Sequence, residues 1–224
     1  MWKKIGYYVI ISVIKIIVYE VLNLIGCYNV WVLFSYVGLL FTSLATYFSI
    51  YKNHKIAILF LMFAGVIDIF DGKVAKKFKR NEKEKQFGVE IDSIIDTISF
   101  GVVPIIIYFN IGLTMWFDYI LMFLYLFAVT MRLAYFNTYL VNEKGTNKNY
   151  ELYIGFPVTS IALFLPLFYV FYLVFNNAIF MRIGLIISIL LFLVKLKIKR
   201  YKSMVFNVSL IIIGLIILGF MMWV

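Results

Sequence analysis

Apolar residues fill this chain in long blocks separated by short polar connections. Eight stretches, roughly 5–26, 30–51, 56–72, 91–113, 115–138, 153–176, 178–195 and 203–223, are dominated by Leu, Ile, Val, Phe, Tyr and Met. A helix needs about 20 apolar residues to cross a hydrocarbon core about 30 Å thick. The blocks therefore predict an all-α integral membrane protein, with short turns that hold the helices in one compact bundle. The first block differs from the rest, because Lys15, Glu20 and Asn23 interrupt it. Those residues suit the polar edge of a helix lying at the interface better than a span through lipid. The expected organisation is a single membrane domain, 1–224. It comprises an N-terminal helix within 1–29 (interfacial, with a true span as the alternative), a core of six transmembrane helices over 30–200, and an additional C-terminal span at 203–223.

Charge orients the bundle. Lys73, Lys76, Lys77, Lys79, Arg80, Lys83 and Lys85 lie between the third and fourth blocks, and Lys195, Lys197, Lys199, Arg200 and Lys202 precede the last. Loop 139–152 adds Lys144 and Lys148, whereas the turns near 111–114 and 176–178 carry neither Lys nor Arg. Positive-inside bias puts 73–87, 139–152 and 196–202 on the cytoplasmic side of the cell membrane.

Composition narrows the function classes. The chain is 64% hydrophobic and 14% charged, with a mean hydropathy of +0.99. That leaves too little polar surface for a soluble globule or a disordered chain. Cys27 is the only cysteine, so no disulfide framework is possible. The net charge of +10 reads as cytoplasmic loops facing anionic headgroups, not as a nucleic-acid surface.

The candidate chemistry is acidic. Of five aspartates, four fall between residues 68 and 96. Asp68 and Asp71 share a helical face at the end of the third block, and Asp92 and Asp96 share one at the start of the fourth. A helix leaving the cytoplasmic side and its neighbour arriving there would gather all four. Two carboxylates about 5 Å apart repel by about 3 kcal/mol at an effective dielectric near 20. Beside lipid, such a cluster calls for compensation. Divalent cations that favour hard oxygen ligands, such as Mg²⁺ or Mn²⁺, supply it, and a network with nearby lysines is the structural alternative. Gly72 and Gly88 flank the acids, with Ala75 between them, and small residues there permit close approach by a ligand or by another helix.

These residues carry a resemblance. Asp68-Ile-Phe-Asp71-Gly72-Lys-Val-Ala75-Lys76, then Gly88-Val-Glu-Ile-Asp92-Ser-Ile-Ile-Asp96, resembles the D-x-x-D-G-x-x-A-R…G-x-x-x-D-x-x-x-D motif of the CDP-alcohol phosphatidyltransferase family. Seven of the eight fixed positions match. Lys76 stands where the family has Arg; it keeps the charge and loses the planar fork that grips phosphate bidentately. The stretch from Asp92 through Ser99-Phe100-Gly101 to Pro104, the sequence Arg132-Leu-Ala-Tyr-Phe-Asn137, and Gly155-Phe-Pro157 are similar to the phosphatidylserine synthase branch, with Tyr135 replacing a second Arg.

The resemblance implies transfer of a phosphatidyl group from CDP-diacylglycerol to L-serine, releasing CMP, on a site with two Mg²⁺ or Mn²⁺ ions. It implies Asp68, Asp71, Asp92 and Asp96 at the metals, with Asp96 also the general base for the serine hydroxyl. Gly72, Ala75, Lys76 and Gly88 would face the nucleotide and lipid phosphates, and Arg132 and Asn137 would contact the acceptor. Membrane lipids and a second copy of the chain, as a homodimer, are the implied partners. A relative using glycerol 3-phosphate or inositol phosphate is the nearest alternative, and a divalent-cation transporter the alternative from another class. Three further expectations concern local structure: Asp118 lies at the outer interface, Ser99 bonds only its own helix, and Pro157 and Pro166 share one helix.

Overall fold

The computed structural model describes residues 26, 30–75, 80–143, 152–195, 197–199 and 204–224. The N-terminal helix expected within 1–29 lies outside these residues, apart from Gly26. The chain runs through α1 (Val30–Ile50), α2 (His54–Ala75) and α3 (Glu82–Asp96). A π-helical segment, Thr97–Val102, follows without a break and leads into α4 (Val103–Ile111). Then come α5 (Trp116–Glu143), α6 (Ile161–Phe175), α7 (Ile179–Leu193) and α8 (Met204–Trp223).

Four stretches among the described residues are long and apolar enough to cross a membrane: Val32–Ile50, Glu82–Ile111, Trp116–Thr138 and Val158–Phe175. Ile179–Leu193 and Val208–Trp223 are shorter apolar helices. Helix α2 is 22 residues long and carries four charged residues, Lys55, Asp68, Asp71 and Lys73. The acids that interrupt its apolar character are those at the candidate site.

One block departs from its expected form. Residues 153–176 do not form a single helix: Leu152–Ile154 is a short strand, β1, paired antiparallel with β2 (Lys197–Lys199) in the register Leu152↔Lys199. Pro157 is extended and precedes a 3₁₀ turn at Val158–Ser160, so only Pro166 lies inside α6. Gly155, at φ +82°, makes the turn out of the strand. Proline lacks the N–H for a helix interior and biases the residue before it toward extended backbone, and with the Gly155 turn this delays the helix.

Helix α1 packs along α2; α7 joins α5 and α6, and α8 lies against α2 and α6. Ile58, Leu61, Ile107, Tyr125, Ile161, Leu165 and Leu185 are fully buried between them. The α2–α6 crossing is set by a glycine, since a Cβ on Gly65 would stand 2.6 Å from the Ala162 Cβ. Neither a methyl nor a backbone can give way cheaply there. Gly65→Ala is expected to cost about 1–3 kcal/mol through overpacking. Thermal unfolding in detergent checks this, and an unchanged midpoint would mean that the helices part without cost.

Candidate functional site

The site begins with two helix ends. Helix α2 carries Asp68 and Asp71 near its C-terminal end, and α3 carries Asp92 and Asp96 near its own. The start of α3 is set by a capping box that the sequence reading passed over. The Asn81 carboxamide oxygen accepts from the Glu84 N–H at 2.8 Å, and Glu84 Oε2 accepts from the Asn81 N–H at 3.0 Å. The N-x-x-E spacing was its readable signal. Lys85 pairs with Glu82 at 2.7 Å on the exposed side of the same turn. With the cap at Asn81, α3 makes about three turns before Asp92.

The two pairs of acids converge. Single carboxylate oxygens of Asp68, Asp92 and Asp96 lie within 4.8 Å of one another, an arrangement able to hold a metal ion. The Asp68 carboxyl group meets that of Asp96, and the Asp71 carboxyl group meets that of Asp92. Two ionised carboxylates about 5 Å apart repel by about 3 kcal/mol at an effective dielectric near 20. The donor set is all carboxylate oxygen, which suits a hard divalent cation. The charge, the spacing and the chemistry of these residues therefore fit the metal that the motif implies.

Around the acids is a pocket lined by Ser35 and Gly38 of α1, by Ala64, Ile67, Asp68 and Asp71 of α2, and by Asp92, Ile95, Asp96, Ser99 and Phe100 on the α3 side. The contribution of α1 was not anticipated. Its signal was a run of small residues, Ser35, Gly38 and Thr42, at helical spacing within an apolar block. Ser99 also departs from expectation. Its hydroxyl pairs with that of Thr42 at 2.7 Å, while Thr42 also donates to the Gly38 carbonyl at 3.0 Å. Two buried hydroxyls on facing helices meet, so the Ser99 hydroxyl bonds across to α1 and not only within its own helix.

The other expected site residues fall in different places. Gly88 is half-buried in α3, one turn before Asp92. Gly72 and Ala75 lie in the last turns of α2, and Lys76 lies outside the described residues. Asn137 of α5 donates to the Ser93 hydroxyl at 2.7 Å, which ties α5 to the helix that carries Asp92 and Asp96. Ser93 in turn donates to the Val89 carbonyl at 3.0 Å. Arg132 is buried, and its Nε donates to the Phe156 carbonyl at 3.1 Å. Its Nη2 approaches the Gly155 carbonyl at 3.5 Å, and its guanidinium stacks over Phe136. A Cβ on Gly155 would come within 3.0 Å of Arg132 Nε, so the bend that leads into α6 closes around this guanidinium. Neither Arg132 nor Asn137 is among the residues that line the acidic pocket.

Asp118 is fully buried and takes Arg182 bidentately, with Nε to Oδ1 at 2.8 Å and Nη2 to Oδ2 at 2.9 Å. It also accepts from the Met115 N–H at 3.0 Å, and Arg182 lies over the Phe117 ring. An arginine inside an apolar block was the overlooked sign, because such a residue requires a partner.

Comparison with known proteins agrees with this geometry. A sequence profile of the CDP-alcohol phosphatidyltransferase family matches residues 19–223. A Mycobacterium tuberculosis protein named CDP-diacylglycerol–serine O-phosphatidyltransferase is 30% identical over 119 residues, 52% of this chain and 40% of that protein. The Saccharomyces cerevisiae protein of the same name is 33% identical over 114 residues, 49% of this chain and 40% of its own length. The Helicobacter pylori protein of that name is 29% identical over 163 residues, 69% of this chain and 65% of its own. The chain thus spans about two fifths of the mycobacterial and yeast relatives. With a profile matched over most of its length and the paired aspartates of the motif brought together, the chain belongs to the CDP-alcohol phosphatidyltransferase family.

Proposed function

We propose that this protein transfers the phosphatidyl group of CDP-diacylglycerol to the hydroxyl of L-serine, forming phosphatidylserine and releasing CMP. The observation that carries the reading is the convergence of the Asp68, Asp92 and Asp96 carboxylates within 4.8 Å. With Asp71 beside Asp92, these residues would hold two Mg²⁺ or Mn²⁺ ions. Bound metal supplies the positive charge that neutralises the pyrophosphate and the departing CMP phosphate.

The chain's own groups do the rest. Asp96 takes the proton from the serine hydroxyl as that oxygen bonds to the phosphatidyl phosphorus and the bond from phosphorus to the CMP oxygen breaks. A carboxylate is a weak base for an alcohol, so it acts in the transition state, where geometry counts most. Gly72, Ala75 and Gly88 leave room for the phosphates, and Lys76 offers them a cation. Asn137 stands beside Ser93, between Asp92 and Asp96 in sequence, and Arg132 lies five residues earlier on α5. The acceptor is placed on that side of the site.

One observation favours serine over a phosphorylated acceptor. The relatives quoted above all carry the serine transferase name. The same reading puts the site at the cytoplasmic face of a multi-pass homodimer built on six core helices. The 30 residues of Glu82–Ile111 measure about 45 Å as a helix, longer than a hydrocarbon core. Asp92 lies about 28 Å from the Ile111 end, which is compatible with the inner edge of the apolar layer, and Asp96 lies one turn deeper.

The test is CMP release by purified protein in detergent, with CDP-diacylglycerol and Mn²⁺ or Mg²⁺, offering serine, glycerol 3-phosphate and inositol phosphate in turn. Release that depends on serine and stops on chelation is the expected result. Release with another alcohol alone would retain the mechanism and replace the acceptor. No release from folded protein with any acceptor would shift the reading to cation transport.

A further inference from the structure

The helix that carries Asp92 and Asp96 changes its winding immediately after Asp96. Thr97–Val102 is π-helical, and the Val103 N–H reaches back five residues to the Ile98 carbonyl. A π turn holds one residue more than an α turn, so it rotates everything before it by about 100° relative to everything after it. Short π segments within α-helices cluster at functional sites.

The cause can be read from the residues. In an α-helix, residue 104 would donate its N–H to the carbonyl of Phe100. Position 104 is proline and has no N–H to give. That carbonyl instead receives the hydroxyl of Tyr125, from α5, at 2.6 Å. Tyr125 is fully buried. Two further contacts hold the wide turn. The Ser99 hydroxyl pairs with Thr42 of α1, and Gly101 admits α5 so closely that a Cβ there would come within 3.2 Å of Leu126 and Val129. Downstream, Val103 and Ile107 are anchored in the core; upstream, Asp92 and Asp96 line the pocket.

We propose that Tyr125 is a positioning residue, whose hydroxyl, together with Pro104, holds the π turn that aims Asp92 and Asp96 at Asp68. Without the turn, the two acids would swing about 100° away from the α2 carboxylates while Val103–Ile111 stayed in place. The role rests on the reading of the aspartates as a metal seat. It goes beyond that reading, because Tyr125 touches neither metal nor substrate.

The test separates aim from stability. Full-length wild type, Tyr125→Phe, Pro104→Ala and the double variant are compared in detergent for Mn²⁺ binding, by paramagnetic resonance of free Mn²⁺, and for metal-free thermal unfolding. Tyr125→Phe is expected to weaken Mn²⁺ binding at least about tenfold, as loss of an outer-shell support does, and to lower the unfolding midpoint. Adding Pro104→Ala supplies residue 104 with an N–H for the Phe100 carbonyl, in α-helical winding. The double variant should therefore regain the midpoint but not the Mn²⁺ affinity. Recovery of both together, or unchanged affinity in Tyr125→Phe, overturns the proposal. If Tyr125→Phe does not fold, Pro104→Ala alone decides: weaker Mn²⁺ binding at an undiminished midpoint supports the role, and unchanged binding overturns it. A wild type that binds no Mn²⁺ overturns the metal reading and this role with it, an outcome distinct from a failure confined to the variants.

Discussion

Asp96→Asn is expected to reduce CMP release by about three orders of magnitude, within the range that general-base catalysis contributes. The substitution keeps the size of the side chain and removes the charge that would accept the serine proton. It also turns one of the three carboxylates whose oxygens converge within 4.8 Å into a neutral amide, a weaker ligand for a divalent cation. Relief of carboxylate repulsion favours the folded state, so the metal-free unfolding midpoint should hold or rise. The measurement is initial-rate CMP release at saturating metal and substrates, beside thermal unfolding of the same preparation. A variant that retained more than a tenth of the activity would remove Asp96 from the role of base.

The second large effect lies at the other end of the bundle. Asp118→Ala is expected to destabilise the protein by about 3 kcal/mol, the low end for breaking a buried pair. The deletion strands the Arg182 guanidinium, whose side chain is only 18% exposed, and the aromatic ring of Phe117 cannot replace a bidentate carboxylate. Asp118 lies 14 residues before Arg132 on α5, about 21 Å along the helix. The serine KM and the metal requirement should therefore stay as in wild type while the unfolding midpoint falls. Asp118→Leu combined with Arg182→Met should recover most of the loss, because apolar replacement of a whole buried pair is close to neutral. If the single substitution left the midpoint unchanged, the pair would be an ornament of the outer surface and not a clasp between α5 and α7.

How far the sequence could be read depended on whether a signal was local. The long apolar blocks mapped onto helices because about 20 apolar residues in a row have few alternatives in lipid. The aspartates were legible for a similar reason: i,i+3 and i,i+4 spacings put each pair on one helical face whatever the rest of the fold does. The segment at 153–176 misled, because its apolar run concealed a glycine turn and a proline that delay the helix to Val158 and beyond. The partner of Asp118 was illegible for a different reason, since Arg182 is 64 residues away and nothing near Asp118 in sequence signals a buried ion pair.

By itself, then, the sequence determined the helical membrane class, the two acidic faces and the family motif, all consequences of periodicity and of patterns within one stretch of chain. The tertiary structure decided which oxygens come within reach of one another. It also decided that α1 closes the pocket with Ser35 and Gly38, that Arg182 answers Asp118, and that Tyr125 takes the Phe100 carbonyl released by Pro104. Each of these joins groups far apart in the chain. Their pairing follows from how the helices pack, which no local pattern records, because a buried hydroxyl or guanidinium is satisfied by whichever acceptor the packing brings near.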